Sequence, residues 1–90
     1  MSKMENEDSY EKLIDVIRNF EEDTEVFFYY WIDIRLLLDR VLKELKGCQV
    51  KELNWSNFKI VYNENELLID RTANPDGSSV YSIKKRYLRT

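Results

Sequence analysis

Five consecutive aromatic side chains, Phe27 to Trp31, constrain the fold of this chain more than any other feature. A soluble protein must cover such a run on two sides or leave part of it for a partner, because monomers rarely expose large apolar patches. The run belongs to a longer apolar pattern with steps of four, three, four, three and four residues, which is a heptad spacing. The positions in that pattern are Phe27, Trp31, Ile34, Leu38, Val41 and Leu45.

The heptad pattern predicts a helix over residues 24–46, with Gly47 at the position where a helix end favours glycine. Residues 24–34 are also rich in aromatic and β-branched side chains, so a strand is the alternative there. The heptad spacing runs through this segment without a break and favours the helix. Apolar residues at helical spacing predict an earlier helix over residues 9–22, and the short connection makes the two helices an antiparallel hairpin.

After Gly47 the apolar period changes to two, which is typical of strands. Three apolar runs predict three strands, over residues 58–62, 67–69 and 80–87. The sequence Asn-Pro-Asp-Gly at residues 74–77 predicts a tight turn with Gly77 in the left-handed region. The predicted fold is therefore α+β, with an N-terminal helical hairpin packed on a three-stranded antiparallel β-meander. Residues 48–56 fit either a strand or a loop.

The length of 90 residues allows one domain. Residues 8–90 are predicted to form it, while the polar residues 1–7 lack periodicity and are expected to fray. No apolar segment follows a basic start, the apolar runs are short, and the single cysteine, Cys48, cannot form an internal disulfide. These features predict a cytoplasmic protein.

The composition argues against an enzyme. The chain has no histidine, which removes the commonest general base and the commonest metal ligand. One cysteine without histidine makes neither a Cys–His nucleophile pair nor a zinc site, and Gly47 and Gly77 stand too far apart for a phosphate-binding loop. We therefore expect no catalytic residue, no cofactor and no metal.

On the predicted second helix, a second apolar stripe lies outside the heptad positions. Either the first helix covers this stripe, or it is exposed and marks an interface, since aromatic side chains are enriched at interface centres. Acidic residues in the preceding connection would steer a basic partner towards it. The predicted partner-binding residues are Phe28, Tyr29, Ile32 and Leu36, flanked by Glu21, Glu22 and Asp23.

Charge is unevenly placed along the chain. Residues 1–33 carry ten Asp/Glu and three Lys/Arg, whereas residues 34–90 carry seven and eleven. The long heptad pattern invites a second copy, and two antiparallel copies would set one acidic end beside one basic end, so a homodimer is predicted. The favoured function is a small acidic binding protein that occupies the surface of a protein partner. Inhibitor, adaptor and immunity roles all fit, as does a phage or bacterial antagonist of a larger protein.

A nucleic-acid-related function is the alternative. Either the acidic first third mimics DNA, or a basic cluster on the last strand binds phosphates, with tyrosines available for stacking on bases. The residues of that cluster are Lys84, Lys85, Arg86 and Arg89. The sequence pI of about 5.0 weighs against it. Lysines on a terminal strand also protect a sheet edge from aggregation, which explains them without a ligand.

Overall fold

The computed structural model describes residues 6–54 and 56–86, which form two helices and five strands. In chain order these are α1 (Glu7–Arg18), β1 (Thr24–Phe28), α2 (Ile34–Glu44), β2 (Gln49–Lys51), β3 (Asn57–Tyr62), β4 (Asn65–Ala73) and β5 (Ser79–Arg86). The strands make one antiparallel sheet in the order β1-β5-β4-β3-β2. Neither described helix is long and apolar enough to cross a membrane. The α+β class predicted from the sequence is confirmed.

The prediction of one long helix over residues 24–46 is wrong in its first half, where the chain forms β1 instead. Val26 and Phe28 are completely buried, while Phe27 between them is 45% exposed, which is the alternation of a strand with one buried face. The helix itself begins at Ile34, because Asp33 caps it by accepting a hydrogen bond of 2.8 Å from the Arg35 backbone N–H. Since β1 lies between the helices in the chain, they do not form the predicted hairpin.

The sheet is also larger than predicted. The three strands β3, β4 and β5 form the expected antiparallel meander. Two more strands extend it: β1 pairs with β5 at one edge and β2 pairs with β3 at the other. The undecided segment 48–56 thus contributes a short edge strand.

The first helix is confirmed, but it starts earlier than the sequence indicated. It spans Glu7–Arg18 with Asn6 as its N-cap, so it begins two residues before the predicted range of 9–22 begins and ends four residues before that range ends. Asn6 and Glu7 therefore belong to the fold, although they were expected to fray. Residues 1–5 of the predicted frayed segment lie outside the described residues.

Both helices place their apolar stripes on the same face of the sheet and form the core with it. Register puts Val26 opposite Tyr81, and Ile69 between Phe58 and Ile83, so these side chains share that face. The helices contribute Leu13, Ile14 and Ile17 from α1 and Leu37, Leu38 and Val41 from α2. No described element covers the opposite face of the sheet, which we call the open face.

The turn between β4 and β5 forms as predicted. Gly77 has a φ of +95° and its N–H donates to the Asn74 carbonyl at 3.1 Å. The Asp76 carboxylate accepts hydrogen bonds from the hydroxyl and the backbone N–H of Ser78, and these bonds lower the pKa of Asp76. Their contribution to stability is present at neutral pH and is lost only as acid protonates the carboxylate.

Replacing Gly77 with alanine is expected to lower the free energy of unfolding by about 1 kcal/mol. No atom lies within 4 Å of the position of an added Cβ, so the cost comes from the backbone conformation alone. Gly77→Asn should cost less, because asparagine enters the left-handed region more easily. Urea unfolding measures both, and an unchanged Gly77→Ala stability contradicts this account of the turn.

Alanine substitutions at Phe27 and Phe28 distinguish a strand from a helix at this position. Phe28→Ala should destabilise the protein by about 3–5 kcal/mol, because it empties a fully buried site. Phe27→Ala should cost under about 1 kcal/mol, because that ring is already half exposed. Chemical denaturation gives both values. The opposite ranking would restore the helix, in which Phe27 is the core residue.

Candidate functional site

Four of the five consecutive aromatic side chains are exposed, and we call them the aromatic patch. Phe27 points away from the core as the outward residue of β1, and the chain leaves the sheet directly after Phe28. The members are Phe27, Tyr29, Tyr30 and Trp31, with exposed fractions of 45, 37, 60 and 56%. Phe28 alone enters the core. The alternation of β1 therefore buries Phe28 and exposes Phe27. The three rings after Phe28 are exposed because the strand ends there.

The side chain of Asn6 fixes the backbone that carries the patch. Its Oδ1 accepts hydrogen bonds from the N–H groups of Tyr29 at 2.9 Å and Tyr30 at 3.3 Å. Its Nδ2 donates to the Tyr30 carbonyl at 3.1 Å. Ser9, one turn further along α1, donates from Oγ to the Phe27 carbonyl at 2.5 Å. The start of α1 thus holds this backbone through main-chain groups and leaves the rings of Phe27, Tyr29 and Tyr30 at the surface.

These contacts also determine how the patch can bind. The Phe27 carbonyl in the edge strand β1 accepts from Ser9, and the N–H groups of Tyr29 and Tyr30 donate to Asn6. A partner strand cannot pair with backbone groups that are already bonded. What the surface offers at this position is therefore side chains, with Phe27 and Tyr29 packed edge to face at 5.1 Å between ring centroids.

A cleft of about 240 Å³ adjoins the patch at the N-terminus of α2, and we call it the arginine cleft. Its walls are formed by Trp31, Asp33, Ile34, Arg35 and Arg71. The Arg71 guanidinium lies over the Trp31 ring, 5.4 Å from its centroid, in a cation–π contact. The cleft therefore combines two guanidinium groups, one large aromatic ring and one carboxylate.

A second cavity of about 370 Å³ shares two of these walls. It is lined by Ile34, Arg35, Leu53 and Asn54, and Leu53 is an exposed apolar side chain. Because Ile34 and Arg35 line both cavities, the two are neighbours on the same surface. We call the two adjoining cavities together the groove; its cationic end is the arginine cleft, and its apolar end is the cavity that Leu53 lines.

The predicted partner-binding stripe does not exist as one surface. Phe28 is completely buried and Ile32 is 8% exposed, so both belong to the core. Tyr29 lies in the aromatic patch, and Leu36 is 61% exposed on α2. The stripe was built from helical spacing, but Phe28 is in a strand and Leu36 in a helix, so that spacing does not bring them together.

The predicted acidic flank lies at the other end of β1 from the patch. Glu21, Glu22 and Asp23 are exposed in the connection that precedes β1, and the patch follows that strand. Five residues of strand separate the two groups by roughly 16 Å. Asp23 also accepts a hydrogen bond of 3.4 Å from the Lys85 backbone N–H. The acidic residues are thus a separate surface feature.

The predicted basic cluster is divided as well. Lys84 pairs with Leu68 and lies on the open face of the sheet, while Lys85 pairs with the buried Leu67 and lies on the helix side. The side chain of Arg86 and the whole of Arg89 lie outside the described residues. The two lysines that the structure describes therefore do not present one basic surface.

Lysines do cross the open face of the sheet, in a row that the sequence did not indicate. Register aligns Lys84, Leu68, Lys59 and Lys51 on neighbouring strands. Lys59 forms an ion pair with Glu52. The acidic residues Glu25, Glu66 and Asp70 lie on the same face. The charges on this face are mixed in sign, and no extended cationic surface results.

Sequence reasoning missed the residues that form the groove. Trp31 was assigned to the buried heptad pattern, and Arg71 and Leu53 were given no role. The exposure of Phe27 could have been found from the alternation in Val26, Phe27 and Phe28. The meeting of Arg71 with Trp31 depends on strand order, so no local pattern announces it.

Comparisons of the chain with models of known protein families, with characterised proteins and with solved structures found no match.

Asn6→Ala should loosen the backbone under the patch, because it removes three hydrogen bonds to residues 29 and 30. We expect faster amide hydrogen exchange at Tyr29 and Tyr30 and a loss of about 1 kcal/mol of stability. Asn6→Asp should give an intermediate effect, because a carboxylate accepts both N–H groups but repels the Tyr30 carbonyl.

Asn19→Ala is the matched control, since that amide bonds only to Asp15, at 3.1 Å in the same helix turn. It should leave the exchange of Tyr29 and Tyr30 unchanged. Equal exchange in Asn6→Ala and the wild type would show that Asn6 does not hold the patch.

Proposed function

We propose that this protein is a non-enzymatic binding module of the cytoplasm, which occupies a surface of a larger protein partner. Inhibitor, adaptor and immunity roles all fit this mode of action, as does an antagonist made by a phage or a bacterium. The observation that carries the proposal is the aromatic patch, whose rings are exposed while its backbone is bonded to Asn6 and Ser9.

The energetics of binding favour such a surface. Tyr and Trp supply large contact areas with few rotatable bonds, and they dominate the centres of protein interfaces. Tyr30 and Trp31 are more than half exposed, so each has apolar area to lose from water on association. The hydrogen bonds from Asn6 hold the backbone in place beforehand, which lowers the entropy lost when a partner binds.

The two other function classes have less support. Catalysis would need a positioned acid, base or nucleophile, and the chain has no histidine and one half-buried cysteine, Cys48, whose pKa is raised by burial. Nucleic-acid binding would need a cationic surface, and the described lysines of the last strand lie on opposite faces of the sheet.

The surface on which a homodimer would form differs from the helical surface that the heptad pattern predicted. The predicted homodimer used a helical seam of nearly three heptads, but α2 spans only Ile34–Glu44. Phe27 and Trp31, the first two seam residues, lie on β1 and in the loop that follows it. A homodimer remains a prediction, and the aromatic patch is now the surface on which it would form.

Site-specific photo-crosslinking tests the proposed function. A benzoylphenylalanine at position 30 should form adducts with a protein in lysate of the source organism, because Tyr30 is the most exposed ring of the patch. The same photo-crosslinker at Gln49 is the control, since β2 lies at the far edge of the sheet, roughly 19 Å from β1. Excess unlabelled wild type should suppress the adduct, and excess Tyr30→Ala should suppress it much less.

Two results would count against the proposal. Equal adducts from positions 30 and 49, or none from position 30, would show that the patch is not a binding surface. An adduct of twice 10.9 kDa would identify a second copy as the occupant, which replaces the larger partner by the homodimer.

A further inference from the structure

We propose that the groove beside the patch receives an extended peptide segment of the protein partner, with a carboxylate in the arginine cleft and an apolar side chain in the neighbouring cavity. This inference rests on the proposed function and names the chemistry of the partner. It assigns the occupant from the charges and the lining of the two cavities.

The cationic end suits a carboxylate. Arg35 and Arg71 line the same cleft, and the Trp31 ring under Arg71 orients that guanidinium. A guanidinium presents paired N–H donors in a plane, which match the two oxygens of a carboxylate. No carboxylate among the described residues forms an ion pair with Arg35, whose side chain is exposed. The cleft thus has cationic charge available for a ligand.

Asp33 limits how much negative charge the cleft accepts. Its Oδ1 is bonded to the Arg35 backbone N–H at 2.8 Å, so it serves the helix cap and also occupies the donor that an anion would use at the helix end. Its remaining charge repels anions. A single carboxylate carries one negative charge, whereas a phosphate monoester carries nearly two at neutral pH. The lone acidic wall therefore favours the carboxylate.

The apolar end suits an aliphatic or aromatic side chain. Leu53 is 48% exposed and forms this cavity with Ile34 and with Arg35, the wall it shares with the cleft. Burying Leu53 under a partner side chain removes apolar area from water. Side chains on one face of an extended segment repeat about every 7 Å. Neighbouring cavities with a shared wall therefore match an acidic and an apolar residue placed close together in the peptide.

A protein segment fits this groove better than a nucleic acid does. A base could stack on Trp31 while a phosphate meets Arg71, but each further nucleotide adds a negative charge to a protein of net charge −3. The aliphatic wall at Ile34 and Leu53 offers a base no stacking surface. A peptide with one carboxylate is attracted by the arginines of the cleft, and its single charge is repelled only weakly by the net negative charge of the protein.

Selection from a phage-displayed library of random 12-residue peptides tests the inference on the full chain. The selected peptides should share an Asp or Glu within two positions of a Leu, Ile, Phe or Trp. Fluorescence polarisation with the strongest synthetic peptide then gives its affinity. Arg35→Gln should weaken binding about tenfold, and replacing the peptide carboxylate by its amide should have the same effect.

The controls separate a direct contact from a change in folding. Arg18→Gln is matched to Arg35→Gln, because it removes the same charge from an exposed position near the end of α1. It should change the affinity less than about twofold. In the doubly altered pair, Arg35→Gln with the amide peptide, the loss should not exceed that of either single change, because each removes the same interaction. Independent, additive losses would overturn the inference.

Other outcomes also overturn it, and they leave the proposed function distinguishable. A consensus without an acidic residue, or no enriched peptide, removes the carboxylate from the groove. If position 30 still forms adducts, the proposed function stands. Binding of a 15-residue oligothymidine that depends on Arg35 would assign the cleft to nucleic acid. If acidic peptides bind in a manner that depends on Arg35 but position 30 forms no adduct, the inference about the groove stands and the proposed role of the patch fails.

Discussion

The pairing of β1 with β5 is the contact on which the rest of the structure depends. It places Val26 against Tyr81 and Phe28 against Ser79, more than 50 positions later in the chain. The Phe28 ring packs edge to face on Tyr81, 5.0 Å between centroids, and also on Tyr10 of α1 at 5.4 Å. One buried ring therefore joins the first helix to the last strand. Because β1 is a main packing partner of α1, loss of the β1–β5 pairing would also detach α1 from the sheet. A domain of this size has a small core, so it has little other buried area to compensate for that loss.

The same pairing creates the exposed aromatic patch. Once Val26 and Phe28 face inward, the strand period sends Phe27 outward, and the end of the strand at Phe28 frees the next three aromatic rings. Hydrogen bonds from Asn6 then fix that loop to α1. Glu7, the next residue, forms an ion pair with Arg40 of α2, and this contact lowers the pKa of Glu7. The start of α1 thus connects to both the loop and the second helix.

Local patterns in the sequence predicted the elements whose partners are close in the chain. The meander β3-β4-β5 and the backbone of Gly77 followed from short apolar runs and turn residues, and α1 followed from helical spacing. The prediction for the segment around β1 was wrong because its apolar residues fit two periods at once, that of a helix and that of a strand. Heptad spacing linked Phe27 to Trp31, alternation linked Val26 to Phe28, and the strand that decides between them lies far along the chain in β5. The arginine cleft was unpredictable for the same reason, since Arg71 meets Trp31 only after the sheet has assembled.

The fold places acidic and basic residues near opposite ends of β1. The acidic connection at Glu21 and Glu22 stands before β1, while Arg35 and Arg71 gather near the end of that strand, with the aromatic patch beside them. An acidic segment of the proposed partner would be repelled at the acidic end of β1 and attracted at the other end. In the proposed complex the charges would set the direction of approach, and the rings would supply the apolar area that slows dissociation. Because Trp31 belongs to both the patch and the cleft, charge and apolar contact area lie together at one residue, and the proposed function accounts for the exposure of four of the five consecutive aromatic side chains.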